Sequence, residues 1–111
     1  MKKLHWAAAI LIVALGLLHT VVTFFEYDRL TMNAIWFAGT GTAIILAGFL
    51  NVALIRDAGK DSVISAMCIV TNLLFFLGFG GATFVLPEPQ VFIGVAIFGV
   101  ATMGSLFAPR G

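Results

Sequence analysis

The chain has 111 residues and a formal net charge of +1, and 61% of its residues are hydrophobic while only 10% are charged. A soluble domain of this size buries only about 60% of the surface that its unfolded chain exposes, so this composition excludes a soluble domain and predicts a lipid environment. The small net charge, with no basic stretch interleaved with aromatic residues, excludes a nucleic-acid partner. The single cysteine, Cys68, excludes an internal disulfide bond.

Four apolar stretches, each near the ~20 residues that cross a bilayer, predict an all-α integral membrane protein. We place these helices at 4–25, 33–55, 62–86 and 90–108. The polar breaks between them are short, so consecutive helices are expected to be antiparallel neighbours. The sequence therefore predicts one membrane domain, an up-down-up-down four-helix bundle.

The first stretch follows two lysines, Lys2 and Lys3, as the apolar region of a secretory signal peptide does. It is longer than such a region and has no small-residue cleavage motif at its far end. We therefore expect a retained first helix.

A seven-residue repeat marks one face of this first helix, with His5, Ile12, His19 and Glu26 as its members. His5 lies beside Trp6 at the membrane boundary, so an interfacial anchor is the expected role. His19 lies about 10 Å of helix rise before Glu26, inside the span. A histidine at that depth is expected to face the bundle and to have a partner.

Three roles for His19 stay open. It can be a structural imidazole that is hydrogen-bonded to a neighbouring helix, a group that binds a ligand or carries a proton, or a ligand to a metal or haem. A metal is disfavoured because His5 lies three turns away and Cys68 belongs to the other half of the membrane. The preferred interpretation includes no metal and no cofactor.

The remaining helices carry few polar residues inside their spans. Asn72, near the middle of the third helix, is expected to join helices or subunits through its amide, because an unpaired amide in hydrocarbon costs several kcal/mol. Asn51, near the inner end of the second helix, can do the same or cap the helix. Ala47 with Asn51, and Ala101 with Ser105, are spaced four apart and predict helix contacts.

Counting residues from the helix ends brings several side chains to the depth of His19, in the outer half of the membrane. Aromatic and small polar groups that converge in this way suit a small organic ligand. The candidate ligand-binding residues are His19, Thr23, Glu26, Trp36, Thr40 and Asn72.

The basic residues predict the orientation of the bundle, since basic loops resist translocation. One side carries Lys2, Lys3, Arg56, Lys60 and Arg110, whereas the other carries only Arg29. Both termini are therefore expected in the cytoplasm.

One segment resembles a group of small bacterial four-helix inner-membrane proteins of unknown function. The resemblance covers roughly residues 15–55 and rests on Leu18, His19 and Thr20, followed by Ala34, Trp36, Phe37, Gly39, Gly41, Gly48 and Asn51. It implies a multi-pass protein of a bacterial inner membrane. It implies no activity, because none is known for the group.

Two functions from different classes stay open. The first is a non-enzymatic module that binds or transports a small molecule, or an accessory subunit, with a pocket around His19. The second is a membrane redox or lipid-modifying protein that binds haem, quinone or a lipid head group. The first is preferred because His19 has neither a second ligand nor an acid partner for catalysis, and the sequence shows no catalytic set of residues. Ion-coupled transport is disfavoured, because no carboxylate, lysine or arginine lies inside a span. The expected partners are membrane lipid, a small apolar or amphipathic ligand, and a second copy of the chain or a larger complex.

Overall fold

The computed structural model describes residues 2–107, and this part of the chain is helical with no strand. The four helices are α1 (Lys2–Glu26), α2 (Met32–Asp57), α3 (Ser62–Ala82) and α4 (Pro89–Leu106). All four are long and apolar enough to cross a membrane. The predicted all-helical membrane architecture is confirmed at this level. Arg110 and the predicted end of the fourth helix at residue 108 lie outside the described residues.

The third helix is shorter than predicted, because it ends at Ala82 instead of residue 86. The chain then tightens into a turn in which the Phe84 amide donates to the Gly81 carbonyl at 3.2 Å. Pro87 disfavours helical geometry at the residue before it, and Pro89 occupies the first turn of α4, where a missing amide proton has no cost. Hydropathy alone does not reveal this turn, because most of its residues are apolar.

Local sequence fixes the turn between α2 and α3. The Ala58 amide donates to the Ile55 carbonyl at 3.1 Å, and Ala58 itself adopts a left-handed conformation with φ of 55°. The Asp61 carboxylate then caps α3 by accepting from the amides of Val63 and Ile64. This turn joins α2 to α3 tightly at one end.

Helices α1 and α2 approach each other at backbone distance. A Cβ atom added to Gly16 would lie 2.7 Å from the amide nitrogen of Ile45, and one added to Gly41 would lie 2.9 Å from the amide nitrogen of Thr20. Real side chains do not tolerate such distances, so both positions require glycine. The contact between α1 and α2 is the most extensive in the bundle, followed by that between α3 and α4.

The contact between α2 and α3 is much smaller, and within the described residues the backbones of α1 and α3 do not approach each other closely. An aromatic cluster fills the centre of the bundle, where Phe98 is fully buried and stacks on Phe75 and Phe79 at ring distances of 4.8 and 5.7 Å. Most large apolar side chains lie outside, on surfaces that lipid can solvate. The bundle is therefore well packed on three sides and loosely packed between α2 and α3.

Candidate functional site

Two regions of the structure stand out, and the first is a buried polar cluster to which all four helices contribute. We call it the polar network, and its members are His5, Asn51, Cys68, Asn72 and Ser105. All five are at most 3% exposed. Polar side chains in an apolar bundle are stable only when they are hydrogen-bonded to one another.

The network is centred on a reciprocal pair of amides. Asn51 Nδ2 donates to Asn72 Oδ1 at 2.7 Å, and Asn72 Nδ2 donates to Asn51 Oδ1 at 2.8 Å. The second proton of Asn51 Nδ2 goes to the Ala47 carbonyl at 2.8 Å, and Asn72 Nδ2 also lies 3.2 Å from the Ala101 carbonyl. The two amides thus tie α2 and α3 together and connect α3 to α4.

His5 and Cys68 complete the network around one atom. His5 Nε2 lies 2.8 Å from Asn51 Oδ1, and Cys68 Sγ lies 3.3 Å from the same oxygen. A carbonyl oxygen only accepts, so the His5 tautomer that satisfies this contact carries its proton on Nε2. Ser105 Oγ accepts a hydrogen bond from Asn72 Nδ2 at 3.4 Å and donates one to the Thr102 carbonyl at 2.9 Å.

The expected role of His5 as an interfacial anchor is wrong. Its ring is only 3% exposed and points into the bundle against Gly104, where an added Cβ atom would lie 2.8 Å from His5 Cβ. The absence of a side chain at Gly104 makes room for the imidazole. Spacing along α1 could have indicated this, since His5 shares its face with Ile12, which is fully buried.

The prediction that Asn72 joins helices through its amide is confirmed by its bonds to α2 and α4. Its predicted place beside His19 is wrong, since its amide pairs with Asn51, which also contacts His5, and His5 lies fourteen residues, about 21 Å of helix rise, before His19. Asn72 therefore lies at the level of His5 and Asn51, towards the other end of the bundle.

The ring of His19, a residue of α1, packs against α2. Its ring stacks on Phe37 with centroids 3.9 Å apart and planes 14° apart, and Tyr27 contacts the same phenyl ring at 5.7 Å. His19 Nε2 is buried and has no hydrogen-bond partner within residues 2–107, whereas the imidazole makes a hydrogen bond to the backbone of Phe37. Thr23, which is also buried, donates to the His19 carbonyl at 3.2 Å. Phe37 of α2 is thus the neighbour of His19, both through its stacked ring and through its backbone.

The other predicted binding residues do not join His19. Glu26 is exposed, and Trp36 is 69% exposed on the outer surface of α2. Thr40 is exposed as well, and its hydroxyl donates to the Trp36 carbonyl at 2.9 Å. The predicted residues therefore do not form one pocket around His19.

Thr40 instead lines the second notable region, a groove of about 530 Å³ between α2 and α3. We call it the groove, and its lining residues are Thr40, Leu74, Phe75, Gly78, Phe79 and Ala82. No atom lies within 4 Å of a Cβ added at Gly78, so this wall is open. Thr40, Leu74 and Gly78 of its lining are exposed along the sides of α2 and α3, so the groove is open laterally.

The chemistry of the groove is that of hydrocarbon. Five of its lining residues are apolar, and the hydroxyl proton of Thr40 is already donated within α2. The lining residues include no acid, base or nucleophile that could act on a bound molecule. Residues 2–107 contain no cluster of three or more histidine, cysteine or acidic side chains that could hold a metal ion.

The chain was compared with protein families, curated proteins and solved structures, and none of them matches it. The resemblance to small bacterial four-helix proteins stays a prediction. What can be said of function therefore depends on the geometry of the polar network and of the groove.

Proposed function

We propose that this protein is a non-enzymatic binding module of the membrane that holds the hydrocarbon part of an apolar or amphipathic ligand in the groove between α2 and α3. The observation that carries the proposal is the groove itself, with its apolar lining and its lateral opening. Its volume of about 530 Å³ falls within the roughly 300–1,000 Å³ of small-molecule sites. A ligand reaches such a site from the bilayer.

The distribution of polar groups supports binding over catalysis. The reactive side chains His5 and Cys68 belong to the polar network, where both contact Asn51 Oδ1. A molecule in the groove meets aromatic rings, aliphatic side chains and one threonine. This moves the centre of the binding site from His19 to Thr40, Phe75 and Phe79.

The proposal includes an orientation in a bacterial inner membrane. We place both termini in the cytoplasm, in an up-down-up-down bundle. The excess of lysine and arginine at the end that carries Lys2, Lys3, Arg56 and Lys60 supports this orientation. Contacts of His5 with Asn51, and of His19 with Phe37, support an antiparallel α1 and α2.

Native mass spectrometry and fluorescence test the proposal. The chain has two tryptophans, so Trp6→Phe leaves Trp36, one turn from Thr40, as the single reporter for a titration with farnesol. Gly78→Leu adds a side chain in the groove, where an added Cβ atom has no atom within 4 Å, and is expected to weaken binding at least tenfold. Gly81→Leu is the matched control, because it makes the same change on the same helix, also with no atom within 4 Å of its Cβ, at a residue outside the lining.

The expected result is a ligand that co-purifies with the wild type and with Gly81→Leu but not with Gly78→Leu. Equal binding by both variants, or a folded wild type that neither retains a lipid nor responds to farnesol, would contradict the proposal.

A further inference from the structure

We infer that the ligand of the groove carries an uncharged, oxygen-bearing head group on its hydrocarbon chain, and not a phosphate. This inference rests on the proposed function and adds the chemistry of the head group. It follows from what lies at the open end of the groove, beyond Thr40 and Ala82.

The hydrocarbon chain occupies the groove because the lining offers no free donor. The hydroxyl of Thr40 donates to the Trp36 carbonyl, and the remaining lining residues are apolar. A polar head inside the groove would lose its hydrogen bonds to water without replacement. The head must therefore lie at an end of the groove.

Trp36 marks that end. It lies one turn before Thr40 on the same face of α2 and is 69% exposed. Its indole N–H makes no hydrogen bond to the described part of the chain, so it can donate to a ligand oxygen. Tryptophan is suited to this boundary because its ring is apolar and its N–H is polar.

The charges at the same end argue against an anionic head. The α1–α2 and α3–α4 connections lie there, since α2 begins two turns before Thr40 and α3 ends at Ala82. These connections and the helix ends that flank them carry three carboxylates and one guanidinium, a net charge of −2, from Glu26, Asp28, Glu88 and Arg29. No lysine is present to pair with a phosphate.

The opposite end of the bundle carries a net positive charge. Four basic side chains and two acidic ones give it a net charge of +2 within residues 2–107: Lys2, Lys3, Arg56 and Lys60, against Asp57 and Asp61. An anionic lipid is therefore attracted to the end that lacks the groove. An uncharged lipid has no such bias and can enter beside Trp36.

Farnesol and farnesyl phosphate test this inference, because their hydrocarbon chains are identical and their heads differ in charge. Both are titrated into the Trp6→Phe variant in a neutral detergent, with Trp36 fluorescence as the readout and native mass spectrometry as a second measure. A phosphate of charge about −2 is repelled by the net charge of −2 at this end, so farnesyl phosphate should bind about tenfold more weakly than farnesol. Salt should reduce this difference.

The variant Glu26→Gln/Glu88→Gln should reduce the difference in affinity between farnesol and farnesyl phosphate, while the affinity for farnesol stays unchanged. Farnesyl phosphate that binds as tightly as farnesol, or more tightly, would overturn the inference and leave the proposed function standing. If neither compound binds to the folded protein, the proposed function fails as well. This outcome can be told apart from the previous one, in which farnesyl phosphate still binds.

Discussion

The two sides of α2 differ sharply within one helical turn. On one side Gly41 brings the backbone of α2 against α1, and an added Cβ atom would lie 2.9 Å from the Thr20 amide nitrogen. On the other side Gly39 and Thr40 are exposed, and no atom lies within 4 Å of a Cβ added at Gly39. At this depth α2 is therefore in close contact with α1 but separated from α3.

Further along, α2 and α3 are held together by the amides of Asn51 and Asn72. In lipid, apolar side chains gain little by leaving their surroundings, so close contact requires small residues or hydrogen bonds. Glycine supplies that contact between α1 and α2, and the polar network supplies it between α2 and α3. Where α2 and α3 have neither, they remain apart and form the groove.

The largest effect is expected from removing the amide at the centre of the network. Asn51→Leu leaves His5 and Asn72 without their shared partner, and we expect a loss of about 2–4 kcal/mol in unfolding free energy. Asn72→Leu should cost about 0.6–2 kcal/mol. The double variant should cost less than the sum, because both ends of the amide pair are then removed.

These values can be measured by denaturant unfolding in mixed micelles. Asn33→Leu, at an exposed position near the start of α2, is the control and should change stability little. A variant Asn51→Leu that unfolds like the wild type would mean that the network does not hold α2 to α3.

The next largest effect on stability is a difference between substitutions on the two sides of α2. Gly41→Ala forces α1 and α2 apart and should cost about 1–3 kcal/mol. Gly39→Ala, two residues away on the open side, should be neutral or slightly stabilising because alanine favours the helix. Thermal unfolding of both variants in the same detergent measures the difference. Equal melting temperatures would show that the two sides are packed alike.

The smallest effect concerns the two histidines, which differ in their partners. His19→Phe keeps the stack on Phe37, removes the unpaired Nε2 and also removes the hydrogen bond to the Phe37 backbone, so these effects oppose each other and stability should change by less than about 1 kcal/mol. His5→Phe removes a bond to Asn51 and should destabilise. The same unfolding assay compares them. A clear loss for His19→Phe would reveal a partner for Nε2 and return the binding site to that residue.

The sequence was sufficient to predict four helical spans, though not the end of the third, since long apolar stretches can only be satisfied as helices in lipid. It also predicted that Asn72 links helices, because its unpaired amide would be costly. It did not predict which helix Asn72 meets, or where α2 and α3 separate. These helices are apolar on nearly all sides, so the sequence pattern does not fix how each one is rotated about its axis.

The misplacement of His5 has the same cause. A histidine near a tryptophan at a helix end suits the interface when its helix is considered alone. The space that receives its ring exists only because Gly104 lies opposite, on a helix distant in sequence. The seven-residue repeat showed that His5 shares a face with Ile12, but the inward direction of that face depends on α2 and α4.

Fluorescence quenching by lipids with brominated chains shows whether hydrocarbon enters between α2 and α3. With Trp6 and Trp36 replaced by phenylalanine, a single tryptophan is introduced by Phe75→Trp in the groove or by Phe76→Trp, its neighbour that packs towards Gly99 of α4. Both side chains are partly buried, so the pair is matched. We predict strong quenching for Phe75→Trp and weak quenching for Phe76→Trp, in proteins whose melting temperatures match the wild type. Equal quenching, or stronger quenching of Phe76→Trp, would contradict the account.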